Sequence, residues 1–216
     1  MNDDDKIQDP LKPLEEICFP DERQQNFLTT LEDNHGALST IILNDVVPLD
    51  VRQLFETAKN LSLYSWFVYR FHQVAELIGY SALEMALKER FKQETPNKKP
   101  PMLAGLLKHA QKHQWVKNED FPDLEIISHY NARQKKIYQI IQSGVLKERE
   151  EISVEEPTKE ELQQAFDSID RFSEIVNSAA ALRNNLAHGS NTLHPNSIST
   201  LRTTAHVINA LFKESC

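Results

Sequence analysis

Between residues 64 and 93 the chain reads "YSWFVYRFHQVAELIGYSALEMALKERFKQ", with Phe67, Phe71, Val74, Ile78 and Met85 recurring at roughly helical spacing. Further apolar residues flank that stripe, so the pattern predicts a central helix buried on more than one side. Pro96, Pro100 and Pro101 stop it, because proline lacks the donor a helix interior needs. "PMLAGLLKHAQKHQW" restarts a short helix with proline at its first turn. A third helical stretch covers residues 123 to 147, and an acidic loop follows through Pro157. The fourth, residues 159 to 187, opens on the capping-box pair Thr158 and Glu161. Gly189 suits the left-handed position after it, and "NSISTLRTTAHVINALFKES" beyond Pro195 forms a last helix.

The first 60 residues are patterned differently. Residues 1 to 22 are polar, acidic and broken by Pro10, Pro13 and Pro20, which suits a flexible arm. "ALSTIILNDVV" before Pro48 fits a strand or a short helix, and "VRQLFETAKNL" fits a helix capped by Asp50. The expected architecture is all-α: an acidic, partly flexible extension over residues 1–60, then an antiparallel bundle of about five helices over 61–216.

Composition agrees with that picture and narrows it. A chain of 216 residues, 40% of them hydrophobic, is long enough to bury a core without a metal or disulfide. Cys18 and Cys216 lie near opposite ends with no metal-binding spacing, which points to a reduced, cytoplasmic protein. The N-terminus lacks the order of a signal peptide, and no apolar run reaches the roughly 18 residues of a membrane helix, so no membrane partner is expected. The net charge of −8 comes from residues 1–60, where 13 Asp/Glu face 5 Lys/Arg; the remainder carries 19 of each. Within it, residues 88–117 hold 8 basic and 2 acidic side chains. One local surface can therefore face phosphates although the whole chain is acidic.

The candidate chemistry lies in "AALRNNLAHGSN", residues 180–191. With Leu186 as the origin of a helical wheel, Phe172, Ile175, Ala179 and Leu182 fall on its side and are expected in the core. Arg183 falls at the stripe's edge. Asn184 and His188 fall opposite, on a face with the small residues Ser173, Asn177, Ala180 and Ala181 where a second copy of the helix can approach. Histidine can exchange the protons of phosphodiester transesterification, and arginine's fork suits a phosphate. The Arg-to-His spacing alone carries little weight, since 9 Arg and 8 His in 216 residues produce it readily by chance. Cations in a last helical turn also complement the helix dipole without any catalysis.

The motif gains weight from its setting. "LRNNLAHG", closing a helix before a terminal helix that ends "VINALF", resembles the signature of the HEPN superfamily: Arg, four to six residues, then His. "AELIGYSALEMALKERF" is similar to that superfamily's first helix and "PMLAGLLKHAQK" to its second, so the resemblance spans residues 61–216. It implies an all-α homodimer and a metal-independent, cofactor-free endoribonuclease that leaves a 2′,3′-cyclic phosphate. It further implies Arg183 on the phosphate, His188 as acid/base and Asn184 as accessory polar residue, with RNA as substrate. Active relatives act as toxins or in defence, so an antitoxin or regulatory protein is an expected partner. Ser190 stands where one toxin subgroup has a tyrosine, so that subgroup's control by nucleotidylation is not implied. The superfamily also has inactive members, which keeps open a non-catalytic interaction or nucleotide-binding module.

Competing features are weaker. His109 and His113 lie one turn apart, but without HExxH or an apparent third ligand no metal site is expected. Lys108 and Lys112 beside them are candidate contacts to RNA backbone. Tyr64, Trp66, Phe67 and Tyr69 are expected in the core rather than stacked on bases. No nucleophile elbow or phosphate-cradling glycine loop is present.

Overall fold

The computed structural model describes residues 9–26, 28–143, 154–188 and 193–213. They contain eight α-helices and no strand: α1 (Leu31–Ser39), α2 (Leu49–Tyr64), α3 (Phe71–Glu94), α4 (Leu103–Lys112), α5 (Leu124–Gln142), α6 (Lys159–Asp167), α7 (Arg171–Ala187) and α8 (Ser197–Leu211). The all-α expectation holds. Gly189, Ser190, Cys216 and the end of the third predicted helix lie outside the described residues.

The chain forms two compact units. The first comprises Met1–Ala82 with Arg183–Ala205, the second Leu83–Leu182 with His206–Cys216. Neither boundary falls at residue 60, where the charge pattern changes.

In the first unit α1 packs on α2. Thr30 and Asp33 form a reciprocal capping box at the start of α1, so "ALSTIILNDVV" is the end of a helix followed by coil rather than a strand. The coil still anchors the core, with Ile41, Leu43 and Val47 buried. Pro48, not Asp50, occupies the cap of α2, and Asp50 lies in its first turn. Val51, Phe55, Ala58 and Ser62 are buried along α2, at the spacing that keeps one face of a helix turned inward.

The central helix starts seven residues later than the pattern suggests, because "YSWFVYR" forms a turn. Tyr69 alone of the four aromatics is buried there, and Tyr64 is 53% exposed. The buried face of α3 is also not the one marked by its bulkiest residues. Val74 is exposed, whereas His72, Ala75, Glu76, Tyr80 and Ala82 are buried. Gly79 belongs to that buried face and lets α8 come close. A Cβ at Gly79 would stand 2.8 Å from Leu201 Cδ2 of α8, in a leucine with no exposed surface. Gly79→Ala is therefore expected to destabilise the protein by about 1–3 kcal/mol through overpacking, partly offset by alanine's better helix propensity. Urea unfolding measures the net effect, and an unchanged or higher midpoint would refute the close approach.

Part of the acidic N-terminal segment is fastened to the α2–α3 turn rather than free. Asp21 N–H donates to Trp66 O at 2.9 Å, and Tyr69 N–H donates to Asp21 Oδ2 at 3.2 Å. Arg23 pairs with both Asp9 and Asp21 and lies 4.6 Å from the centre of the Tyr69 ring. Gln24 Nε2 donates to Ser65 O at 3.2 Å. Burial works to raise the Asp21 carboxyl, but hydrogen bonds from Arg23 and Tyr69 outweigh it and hold the group at about 2.

In the second unit α5 packs on α6, tied by Lys136 Nζ to Glu161 Oε2 at 2.9 Å. The Thr158–Glu161 capping box is present. The single fourth helix is instead two, α6 and α7, so the described residues of 71–213 hold six helices where about five were expected. Asp170 accepts from Ser173 N–H at 3.0 Å, which starts a new helix as an N-cap does. Asn118 holds both sides of the break, donating to Ile169 O at 2.6 Å and accepting from Arg171 N–H at 3.2 Å.

Candidate functional site

The end of α7 carries Arg183, Asn184 and His188, all within the first unit. His188 N–H donates to Asn184 O at 3.0 Å, so the helical turn persists to His188. Asn184 and His188 are therefore one turn apart on one face and both exposed, while Arg183 is half-buried. Around the helix Arg183 and His188 are separated by about 140° at 100° per residue. One copy of α7 thus points the two side chains in different directions.

The predicted core stripe holds over the first half of α7 and lapses in the second. Phe172, Ile175, Val176 and Ala179 are buried. Leu182, expected inside, is 43% exposed, and Leu186 is half-buried. On the opposite face Ser173 is already occupied by its own chain, accepting from Gln111 Nε2 of α4 at 2.6 Å. Asn177, Ala181, Asn184 and His188 remain exposed at a 4-3-4 spacing.

Lys108 and Lys112 lie in the second unit, one turn apart and exposed on α4. Neither forms an ion pair among the described residues. The next position of each pair, His109 and His113, forms the cluster that the sequence conceals. Its missing third donor is Glu94, at the end of α3 and 15 residues before His109. His109 Nε2 lies 2.9 Å from Glu94 Oε2, and His113 Nδ1 lies 3.5 Å from Glu94 Oε1. The hydrogen bond with His109, outweighing burial, holds the Glu94 carboxyl below its ordinary range. A carboxylate distant in sequence thus stands beside the two histidines, a neighbour that their spacing does not reveal. Only the Pro96–Pro101 connection, which returns the chain from α3 to α4, hints at it.

A left-handed turn sets the position of His113. It caps α4, Gln114 follows with φ 52°, and Trp115 N–H reaches back to Ala110 O at 3.0 Å. This is a Schellman ending, which usually places glycine where Gln114 stands. Gln114→Gly is expected to relieve backbone strain and stabilise the protein by up to about 1 kcal/mol. A lowered thermal midpoint would contradict that reading.

A second polar cluster, unmarked in the sequence, is sealed inside the first unit. Ser65 Oγ donates to Ser62 O at 2.6 Å, so it accepts from His72 Nε2–H at 3.1 Å. His72 Nδ1 is then the acceptor for Ser197 Oγ–H at 2.7 Å, and Ser197 Oγ accepts from Ser62 at 2.6 Å. Each hydroxyl has one proton, which fixes the direction of the chain. Burial, followed by the charge of His194, lowers His72 to about 4. Ser62 and Ser197 are 2% and 0% exposed, so the relay is a core element with no route for a substrate. Nearby, His194 Nδ1 lies 3.3 Å from Glu76 Oε1, whose carboxyl burial pushes up.

No protein-family model, curated protein or solved structure matches the chain. Among the described residues no helix is long and apolar enough to cross a membrane.

Proposed function

We propose that this chain is a metal-independent endoribonuclease of HEPN type, acting in the cytoplasm as a homodimer built around the end of α7. The observation that carries the reading is the continuation of the helix to His188, which presents Asn184 and His188 together on a solvent-facing surface. A dimer also resolves the divergence of Arg183 and His188. With two helix ends facing each other, Arg183 of one copy and His188 of the second address the same phosphate.

In that groove His188 takes the proton of a ribose 2′-hydroxyl as its oxygen attacks phosphorus. The bond to the 5′-oxygen breaks, and protonation of that oxygen yields a 5′-hydroxyl and a 2′,3′-cyclic phosphate. Arg183 holds the non-bridging oxygens with its charged fork as negative charge builds on them. Asn184 orients the imidazole or the phosphate, and Lys108 and Lys112 attract RNA backbone. Toxin or defence duty, with an antitoxin or regulatory protein as partner, belongs to the same reading.

The test is oligomeric state combined with RNA cleavage. Sedimentation of the full chain is expected to show a dimer, and Ala181→Arg, placing a long charge in the middle of the α7 face, is expected to yield a folded monomer that no longer cuts RNA. A wild-type monomer that cuts RNA as well as any dimer would overturn the shared groove. A folded dimer inert on varied RNAs would favour the non-catalytic interaction module.

A further inference from the structure

The Glu94–His109–His113 cluster belongs wholly to the second unit and takes no part in the proposed RNA chemistry. Its three donor atoms lie within 4.8 Å of one another. Donors each about 2.1 Å from a tetrahedral metal stand roughly 3.4 Å apart, within the 4.8 Å that encloses one donor atom from each of these three residues. Two histidines one turn apart on a helix, joined by a carboxylate from elsewhere in the chain, are a recurrent way of holding zinc with a coordination position left open.

The supporting side chains orient the donors. The His109 ring is held edge-on by Phe91 at 4.9 Å and Trp115 at 5.0 Å. The His113 ring stacks on it at 4.1 Å with an interplanar angle of 22°. Trp115 itself is buried, so it backs the His109 ring from within the second unit. Glu94 and His113 have 36% and 39% of their side-chain surface exposed, so an ion reaches them from solvent.

We propose that Glu94, His109 and His113 form a site for a divalent transition-metal ion of zinc type, with at least one position open to water or an exogenous ligand. The donor set of two imidazoles and one carboxylate favours zinc and its neighbours over calcium or magnesium, which prefer all-oxygen shells.

The test uses the EDTA-stripped, folded full-length chain titrated with Zn²⁺, and with Co²⁺ as an optical probe. Saturable binding is expected, with cobalt giving visible absorption of the intensity seen for low-coordinate sites. Glu94→Gln and His113→Gln should each weaken binding by at least roughly 10- to 100-fold. His35→Gln, at an exposed histidine of α1, should bind as the wild type does. Circular dichroism confirms that each variant is folded, and His113→Gln decides the matter should Glu94→Gln fold poorly. Zinc binding unchanged in folded His113→Gln, or equally reduced by His35→Gln, would overturn the site. Because the RNA assay runs in EDTA, the two proposals stand or fall separately.

Discussion

Replacing His188 by alanine is expected to slow RNA cleavage by about 100- to 10,000-fold, the usual contribution of a positioned general acid/base. His188 is exposed at the C-terminal end of α7, so the substitution removes a reactive group without opening a core. Fold and dimer should survive, and the loss should appear in kcat rather than in assembly. Arg183→Ala should cost a comparable factor, since it takes a charged donor from the phosphate as charge develops. Arg183→Lys should recover only part of it, because a point charge does not reproduce the two-pronged geometry. Asn184→Ala should cost less than either. Single-turnover cleavage of a labelled RNA measures all four. Equal rates in wild type and folded His188→Ala would remove that histidine from the reaction.

Acidification is expected to weaken the fold in two steps, the first governed by His72. Its folded value of about 4 lies below the ordinary 6.5, so between those values the unfolded chain binds the proton more readily. Stability is therefore complete above about pH 6.5 and is lost as pH falls toward 4, by about 3 kcal/mol at 1.36 kcal/mol per unit. The buried relay supplies the structural reason. Charged His72 would donate from both nitrogens, and the Ser197 proton now directed at Nδ1 would have to turn away. Asp21 adds the second step. Its carboxyl is held at about 2, so its contribution is present above the unfolded value near 3.9 and fades below it, by about 2 kcal/mol. Urea unfolding at pH 7, 5.5 and 4 checks the first step. Wild type should lose stability steeply across that window and His72→Gln should show a much flatter dependence. Parallel curves would assign the acid sensitivity to other groups.

The features legible in the sequence are those specified by neighbours. The capping box of Thr158 and Glu161, the prolines that separate α3 from α4, and the helical run ending at His188 all act within a few residues. What escaped depends on distant partners. The break between α6 and α7 is bridged by Asn118, 51 and 53 residues from the groups it holds. His72 meets Ser197 across 125 residues, and no periodicity marks a buried histidine whose partners are two ordinary serines and the helix start of α8. On α3 the apolar pattern marks Val74, yet the face turned inward is that of Gly79, where α8 approaches closely and His72, Glu76 and Tyr80 are buried. Glu94 was hidden for a third reason. It ends a helix among other charged residues, and only the return of the chain through Pro96, Pro100 and Pro101 brings it to His109.

The candidate site was partly legible. The positions of Asn184 and His188 follow from helical geometry once the turn continues to His188. The exposure of Leu182 does not follow, because a leucine in register with Phe172 and Ile175 reads as core.

Incubation of the purified full-length wild-type chain with RNA in excess EDTA, followed by analysis of the product ends, tests the central claim most directly. The account predicts 2′,3′-cyclic phosphate and 5′-hydroxyl termini, formed without metal and lost in Arg183→Ala and His188→Ala. RNA left intact by a folded, dimeric protein, or cleavage that requires added metal and leaves 5′-phosphates, would contradict it.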